Sequence, residues 1–171
     1  MLQRVVRAVT FDVKFFNEVK SDISLNQEAL IVVAVASLLA AIGSITGGIG
    51  YALLLVIWGV LGYYIWSYVT WLVGKNFFGG SGDVGELQRT LGYAWAPRAL
   101  GLLGIVPCVG WVFGLVGALW SLGVGILAVR EGMQVDTGKA VATTFVGWVI
   151  VLVITGLLGL IFGLGFMGAR F

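Results

Sequence analysis

The chain has 171 residues, of which 60% are hydrophobic and 11% charged, whereas soluble domains carry about 25% charged residues. Ten Lys and Arg against eight Asp and Glu give a net charge of only +2, which argues against a large basic surface for nucleic acid. With no histidine and a single cysteine, the chain lacks the commonest metal ligand and cannot form an internal disulfide. We expect one helical membrane bundle that needs no cofactor or metal.

Residues 1–24 carry the pattern of an amphipathic helix. Apolar side chains recur at helical spacing and charged side chains fall on the opposite side: Leu2, Val5, Val6, Val9, Val13 and Phe16 against Arg4, Arg7, Lys14 and Glu18. Such a helix lies in the headgroup layer of a membrane. We predict a cytoplasmic interfacial helix that anchors the chain. The alternative hypothesis is a sensor of lipid charge or curvature, or a docking strip for a partner.

Residues 25–171 form a single membrane domain that charged residues divide into apolar runs. Residues 29–46 and 51–74 are uncharged and close to the ~20 residues that a transmembrane helix needs. The run 99–129 is too long for one span and too short for two. The last run, residues 140–169, crosses once.

The positive-inside rule decides how the ambiguous run is folded. Basic residues precede the first run, follow the second and follow residues 99–129: Arg4, Arg7, Lys14, Lys20, Lys75, Arg89, Arg130 and Lys139. They share one face only if residues 99–129 go out and back, with a turn at 107–110. The first arm of this hairpin must then begin near Gln88, which draws Arg98 into the membrane.

The resulting prediction is an all-α integral membrane protein. Five transmembrane helices follow the amphipathic interfacial helix, with the amino terminus cytoplasmic and the carboxyl terminus external. Two capping-box patterns agree with these boundaries: Ser24 with Gln27 before the first span, and Asp83 with Glu86 before the third.

Small residues recur at three- or four-residue intervals along the fourth predicted helix: Gly110, Gly114, Gly117, Ser121 and Gly125. Such stripes let helix backbones approach closely. We favour packing within the chain over self-association, and both hypotheses stay open at this point.

The sequence contains no recognisable catalytic constellation. Every Asp and Glu falls in a predicted cytoplasmic segment, which argues against an intramembrane aspartyl protease. The serines have no histidine to act as a base, and Cys108 has no visible activating group. We therefore predict a protein that is not an enzyme.

Arg98 directly follows Pro97 at predicted membrane depth, where an ionisable side chain suggests a functional site. Proline removes a backbone donor, so we expect a kinked helix with a freed carbonyl near Tyr93. One hypothesis is a structural arginine that binds freed carbonyls or reaches Glu86, Glu131 or the headgroups. The other is a cytoplasm-facing groove for a lipid phosphate or an anionic solute, with Tyr68, Tyr93 and Pro97 beside Arg98.

The segment LGYAWAPR at residues 91–98 carries a family resemblance. It resembles the central signature of the Yip (Ypt-interacting protein) domain family, in which a Gly-Tyr pair precedes a proline; Gly92, Tyr93 and Pro97 are the matching positions. The order of the other segments is similar to that in bacterial and archaeal members. These segments are a glycine-rich loop, a proline-bounded hairpin with Trp120, and a final span after TGKA at residues 137–140.

The resemblance implies a five-pass protein of the cytoplasmic membrane that acts in membrane organisation or partner scaffolding. Eukaryotic relatives bind Rab-type GTPases and carry a long amino-terminal region with its own motif, which this chain does not show. The implied partners are membrane lipids, a second copy of the chain and a protein at the cytoplasmic face. The alternative function is a scramblase- or transporter-like protein that handles lipids or small anions around Arg98.

Overall fold

The computed structural model describes residues 1–44, 48–106 and 108–168, with the side chains of residues 155 and 158–168 outside the description. All regular elements in this part of the chain are helical. The α-helices are α1 Leu2–Val9, α2 Val13–Ser21, α3 Asn26–Gly43, α4 Ile49–Phe78, α5 Val84–Ala94, α6 Gly110–Met133 and α7 Thr137–Gly168. A short 3₁₀ turn, Ile23–Leu25, precedes α3, and a longer 3₁₀ helix, Ala96–Ile105, follows α5.

Four of the described helical segments are long and apolar enough to cross a membrane. They are Ile23–Gly43, Ile49–Phe78, Gly110–Met133 and Thr137–Ile154. These segments confirm the predicted apolar runs at 29–46, 51–74 and 140–169 as helices within the described residues, and α6 begins at the predicted turn. Residues 45–47, Pro107 and 169–171 lie outside the description.

The third predicted span differs from the expected continuous, kinked helix. It consists of α5 and the 3₁₀ helix, which meet at Trp95. A 3₁₀ helix rises ~2.0 Å per residue against ~1.5 Å in an α-helix, so the two pieces together extend about 36 Å. This broken segment packs between α3 and α6.

The bundle has two ends, which we name for their connections. At one end, which we call the leader end, the linker between α4 and α5 meets the end of α6, where the backbone N–H of Ser81 donates to the carbonyl of Met133 at 3.0 Å. At the turn end, Gly104 lies against Gly43 and Gly110. The broken segment therefore runs from one end of the bundle to the other, as α3 and α6 do.

The first 24 residues form two helices, so the prediction of a single helix over this segment is wrong. Phe11 adopts a left-handed backbone conformation (φ 61°) between α1 and α2. Asp12 then caps α2, because its carboxylate accepts the backbone N–H groups of Lys14 and Phe15. We call α1 and α2 together the leader; they pack on the bundle through side chains that include Ala8, Phe15, Phe16 and Val19, all almost fully buried.

The two predicted capping boxes have different outcomes. The box at Asp83 and Glu86 is confirmed, with both reciprocal hydrogen bonds present at the start of α5. The box at Ser24 is wrong, because Ser24 lies in the 3₁₀ turn and donates its hydroxyl to Asp22 at 2.6 Å. Asp22 caps this turn instead, because its carboxylate accepts both the backbone N–H and the hydroxyl of Ser24.

Candidate functional site

A helix break at Trp95 divides the signature segment into an α-helical part and a 3₁₀ part. Pro97 has no backbone N–H to continue an α-helical ladder, so α5 ends and the tighter 3₁₀ helix begins. The carbonyl of Ala94 accepts a hydrogen bond from the Ser121 hydroxyl of α6 at 2.7 Å. The expected freed carbonyl therefore exists one residue beyond Tyr93, but its partner is Ser121 and not Arg98.

Gly92 and Tyr93 pack toward the leader end. A Cβ at Gly92 would lie 2.8 Å from the Cβ of Ala29, so glycine allows α5 to approach α3. Tyr93 is completely buried; its hydroxyl donates to Glu28 at 2.8 Å and its ring meets Phe15 edge-on, with centroids 5.0 Å apart. Tyr93 thus connects α3 with the leader and does not line a polar path beside Arg98.

Glu28 joins the leader to the signature helix. Besides the Tyr93 hydroxyl, it binds the Arg4 guanidinium at 2.5 Å and lies 3.7 Å from the amino-terminal nitrogen of Met1. Sequence reasoning missed this residue. The available signal was a carboxylate in the first turn of the first apolar helix, a position where it needs a cationic or hydrogen-bonding partner.

Arg89 is a second connection that sequence reasoning missed, having counted it only as a cytoplasmic charge. Its side chain is 5% exposed. The guanidinium donates to the carbonyls of Val19 and Lys20 at the end of α2, and to the Asn26 side chain at 3.0 Å. Arg89 therefore adds donors to the carbonyl end of α2, where the Val19 carbonyl also accepts the Asp22 backbone N–H.

Glu131 also belongs to the leader contact and not to an Arg98 site. Its carboxylate lies 2.6 Å from the neighbouring Arg130 and accepts the Asn17 side-chain amide at 2.7 Å. Its carbonyl accepts from Lys20. The hypothesis that Arg98 reaches Glu131 is wrong, since Arg98 has no ion pair with it in the described structure.

Glu86 and Tyr68 likewise have partners other than Arg98 in the described structure. The Glu86 side chain accepts the backbone N–H of Asp83 within the capping box. Tyr68 is 51% exposed on α4 and packs against Trp71, with ring centroids 5.8 Å apart. The structure therefore does not assemble the predicted groove of Tyr68, Tyr93 and Arg98.

Three charged side chains of the leader are paired with one another. Arg7 donates from Nε to Asp12 at 2.7 Å and from Nη1 to Glu18 at 2.8 Å. These hydrogen bonds from Arg7 hold the pKa of Asp12 and the pKa of Glu18 below their ordinary values, and they raise the pKa of Arg7. All three groups are solvent-accessible, so each pair contributes modestly to stability.

Arg98 stacks its guanidinium over the Trp95 indole, 3.8 Å from the ring centroid. Trp95 is buried, whereas the Arg98 side chain stays accessible at the edge of a cavity of about 1010 Å³. Within the described residues, the guanidinium forms no ion pair or hydrogen bond. A cation over an indole is attracted by the ring's electron-rich face.

The cavity is lined by α3, α4, the 3₁₀ helix, α6 and α7. On α3 and α6 it begins at Ser37 and ends near the turn, and on α4 it stops at Trp66. We call it the turn-end cavity, because it lies in the half of the bundle remote from residues 79–83. The hypothesised groove of Tyr68, Tyr93, Pro97 and Arg98 does not coincide with this cavity, whose lining includes Arg98 but neither tyrosine.

The first part of the small-residue stripe packs against the 3₁₀ helix. A Cβ at Gly110 would lie 2.5 Å from the carbonyl oxygen of Gly104, and one at Gly117 would lie 2.7 Å from that of Pro97. Glycine at these positions lets α6 approach a backbone that has no α-helical ladder of its own.

Of the other glycines of the stripe, Gly125 packs inward as well, whereas Gly114 is exposed. A Cβ at Gly125 would come 3.1 Å from the Trp66 ring, and Gly114 borders the turn-end cavity with open space around it. These contacts support packing within the chain as the role of the stripe. Association between copies stays a prediction.

A family model described as "Yip1 domain" matches residues 7–167. No curated protein and no solved structure matches the chain. The chain belongs to the Yip1 domain family.

The family match includes both the leader contacts and the cavity beside Arg98. The Yip1 match begins at Arg7 inside α1, so it includes most of the leader, the signature helix and the turn-end cavity. The protein is a multi-pass membrane protein of a family that is generally non-enzymatic. In this Yip1 chain, Gly92 and Tyr93 connect helices, Pro97 breaks the third segment, and Arg98 borders the cavity.

The polar side chains of the site link neighbouring helices to one another. Among the described residues, no three His, Cys, Asp or Glu side chains cluster closely enough to hold a metal ion. Cys108 is exposed at the turn end. The described carboxylates of the site bind arginines, a tyrosine or backbone N–H groups.

Proposed function

We propose that this Yip1 protein is a non-catalytic organiser of the cytoplasmic membrane, acting through contacts with lipids and partner proteins. The observation that carries the proposal is the leader, which is fixed to the signature helix and turns apolar side chains away from the bundle. Leu2, Val6, Phe11 and Val13 are all exposed.

Five membrane crossings are part of the proposal. The broken third segment extends about 36 Å, which exceeds the ~30 Å of bilayer hydrocarbon. Its carbonyl at the break has an internal partner in Ser121, as a non-α backbone at membrane depth requires. With this crossing, the basic residues of the leader and of the leader-end connections share the cytoplasmic face, following the positive-inside rule.

The leader lies along the bundle and not flat beneath it. The Trp120 indole donates to the Val9 carbonyl at 2.9 Å, and the Phe11 ring would meet a Cβ at Gly123 at 3.5 Å. Trp120 lies about 15 Å along α6 from Arg130 at the leader end. The tip of the leader at Phe11 therefore reaches well into the cytoplasmic leaflet of the proposed topology.

Insertion at this depth would widen the cytoplasmic leaflet. The exposed apolar side chains of α1 and α2 face lipid there, and Arg7 forms ion pairs with Asp12 and Glu18. Amphipathic segments that insert in one leaflet favour curved membranes. We infer that the leader acts as a wedge in one leaflet, which the bundle holds in place through Arg89 and Glu28.

Depth-dependent quenching tests the wedge. In a Cys108→Ser background, a fluorophore on Phe11→Cys should be quenched by nitroxides on acyl chains, whereas one on Ser81→Cys should be quenched only by headgroup nitroxides. Ser81 is the matched control because it is exposed in the linker at the leader end. Headgroup-only quenching at residue 11 would refute insertion.

Vesicle shape tests the proposed function. Wild-type protein reconstituted at high density should reduce vesicle diameter or form tubules in electron micrographs, and Phe11→Glu should weaken this effect because it places a charge in lipid. Arg89→Ala should weaken it as well by releasing α2, whereas Lys139→Ala, at an exposed site on α7, should not. Equal vesicle diameters with wild type, Phe11→Glu and Arg89→Ala would contradict the proposal.

Lipid or small-anion handling is the second candidate function, and Arg98 in the turn-end cavity favours it. The leader half of the bundle contains many buried side chains, including Phe15, Leu91 and Tyr93, and its pocket beside Arg89 is smaller, at about 240 Å³. This distribution supports a binding site in one half more than a path through both. A reconstituted lipid-scrambling and anion-flux assay decides the point: activity abolished by Arg98→Ala would overturn the scaffold-only function.

A further inference from the structure

Arg98 differs from the other described arginines in its lack of an oxygen partner. Arg4, Arg7 and Arg130 bind carboxylates, and Arg89 binds carbonyls. Arg98 is held only by the Trp95 ring beneath it, and the remainder of its guanidinium is accessible from the turn-end cavity. A guanidinium carries five N–H donors in a planar fork that matches phosphate and carboxylate.

Two further polar groups on the same cavity have no hydrogen-bond partner. The Ser37 hydroxyl and the Trp66 indole N–H belong to side chains that are only 6% exposed, and neither atom is paired. Leaving a polar group buried and unpaired costs about 1–3 kcal/mol. Three residues with unused hydrogen-bond donors therefore line one cavity, and of these donors the Arg98 guanidinium is the one that stays accessible.

The rest of the cavity wall is largely apolar. Leu55, Trp58, Leu115 and Leu119 supply hydrocarbon surface, and Gly62 and Gly114 have open space around them. The volume of about 1010 Å³ is at the upper end of small-molecule pockets, which hold about 300–1,000 Å³. A free inorganic anion would occupy a small part of this space and leave the apolar wall uncovered.

We propose that the turn-end cavity binds one anionic amphiphile. Its phosphate or carboxylate lies on the guanidinium of Arg98, and its hydrocarbon chain lies along the apolar wall. The inference is independent of the proposed membrane-shaping function, because no residue of the leader borders this cavity. In the five-crossing topology, the occupant comes from the external half of the bilayer.

Lipid binding to the full chain in detergent tests the site by native mass spectrometry. The probes are dioleoyl phosphatidylglycerol, dioleoyl phosphatidylcholine and inorganic phosphate. The variants are Arg98→Ala, which removes the cation, and Gly114→Leu, which fills open space in the cavity. The controls are Lys75→Ala, which removes a cation stacked over Trp71, and Gly50→Leu, at another glycine with open space around it.

We expect the wild type to retain one phosphatidylglycerol, with at least about tenfold weaker binding of phosphatidylcholine and of inorganic phosphate. Arg98→Ala and Gly114→Leu should each lose about tenfold or more, and both controls should bind as the wild type does. Phosphate binding as strong as that of phosphatidylglycerol would overturn the need for a chain. Unchanged binding by a folded Arg98→Ala or Gly114→Leu would overturn the site itself.

Discussion

Tyr93 and Arg98 belong to one signature segment, yet their side chains serve opposite halves of the bundle. Tyr93 is in α5 and reaches Glu28 toward the leader, whereas Arg98 follows the break at Trp95 and borders the turn-end cavity. Five residues apart, the two side chains would point about 140° apart even on a continuous α-helix. The 3₁₀ winding after the break carries Arg98 farther from the leader end, because its rise per residue is larger.

Removing the Tyr93 hydroxyl tests its link to Glu28. Tyr93→Phe should lower the free energy of unfolding by about 1.5–3 kcal/mol, because a hydrogen bond to a charged carboxylate is lost in a buried setting. Reversible unfolding in detergent followed by circular dichroism measures the change. Tyr68→Phe, at an exposed tyrosine of α4, is the matched control and should be neutral. Equal stability of the two variants would show that the hydrogen bond contributes nothing.

Gly43 is required by the close approach of α3 to the 3₁₀ helix. A Cβ there would overlap the carbonyl of Gly101, so Gly43→Ala should destabilise the bundle by about 1–3 kcal/mol through overpacking. Gly62→Ala on α4 meets open space and should be neutral or stabilising by up to about 1 kcal/mol. The same unfolding experiment compares them, and a Gly43→Ala protein as stable as Gly62→Ala would show that the two segments do not touch.

At the scale of elements, the leader is a bent pair of helices and not a single amphipathic rod. Its break depends on Phe11 in a left-handed conformation and on Asp12 as the cap of α2. Helical periodicity identified the apolar face, but it could not show that Phe16 is buried against the bundle while Leu2 faces outward. Because of the bend, some apolar side chains of the leader pack on the bundle and others face away from it.

Acidification should loosen the leader. Asp12 and Glu18 have folded pKa values below their ordinary values of 3.8 and 4.5, so each stabilises the paired leader above its ordinary pKa. That contribution is lost as the pH falls through the lowered folded values. A spin label on Phe11→Cys in the Cys108→Ser background should therefore become more mobile below about pH 4.

Arg7→Gln supplies the control for this pH dependence. It removes the donor that lowers both carboxyl pKa values, so its leader should already be more mobile at neutral pH and change less on acidification. Identical mobility profiles in the two proteins would show that the Arg7 pairs do not order the leader.

At the scale of the whole molecule, the two ends of the bundle differ in chemistry. The leader end gathers basic side chains and the Arg89, Glu28 and Glu131 contacts, whereas the turn end holds the cavity and the exposed Cys108. A protein with such different ends has a defined orientation in a bilayer. The proposed topology places Cys108 outside and Ser81 in the cytoplasm.

Labelling of cysteines in intact cells tests this orientation. A membrane-impermeant maleimide should modify native Cys108 from outside. In a Cys108→Ser background, Ser81→Cys should react only after the membrane is permeabilised. Labelling of Ser81→Cys from outside would overturn the orientation, and protection of Cys108 on both sides would contradict an exposed turn.

The sequence alone determined the membrane class and the apolar helices, because hydropathy is a local property. It also determined the cap at Asp83, the position of the α6 start and the Yip-type signature, because turn chemistry and short motifs are local as well. Only the tertiary structure decided the roles of Glu28, Arg89 and Arg98. A charged side chain in an apolar chain is stabilised by whatever partner the packed helices bring to it, and partners far apart in sequence leave no local pattern. Arg89 donates to carbonyls of the leader, and Glu28 binds Arg4 and Tyr93. Arg98 stacks on an aromatic ring beside a cavity.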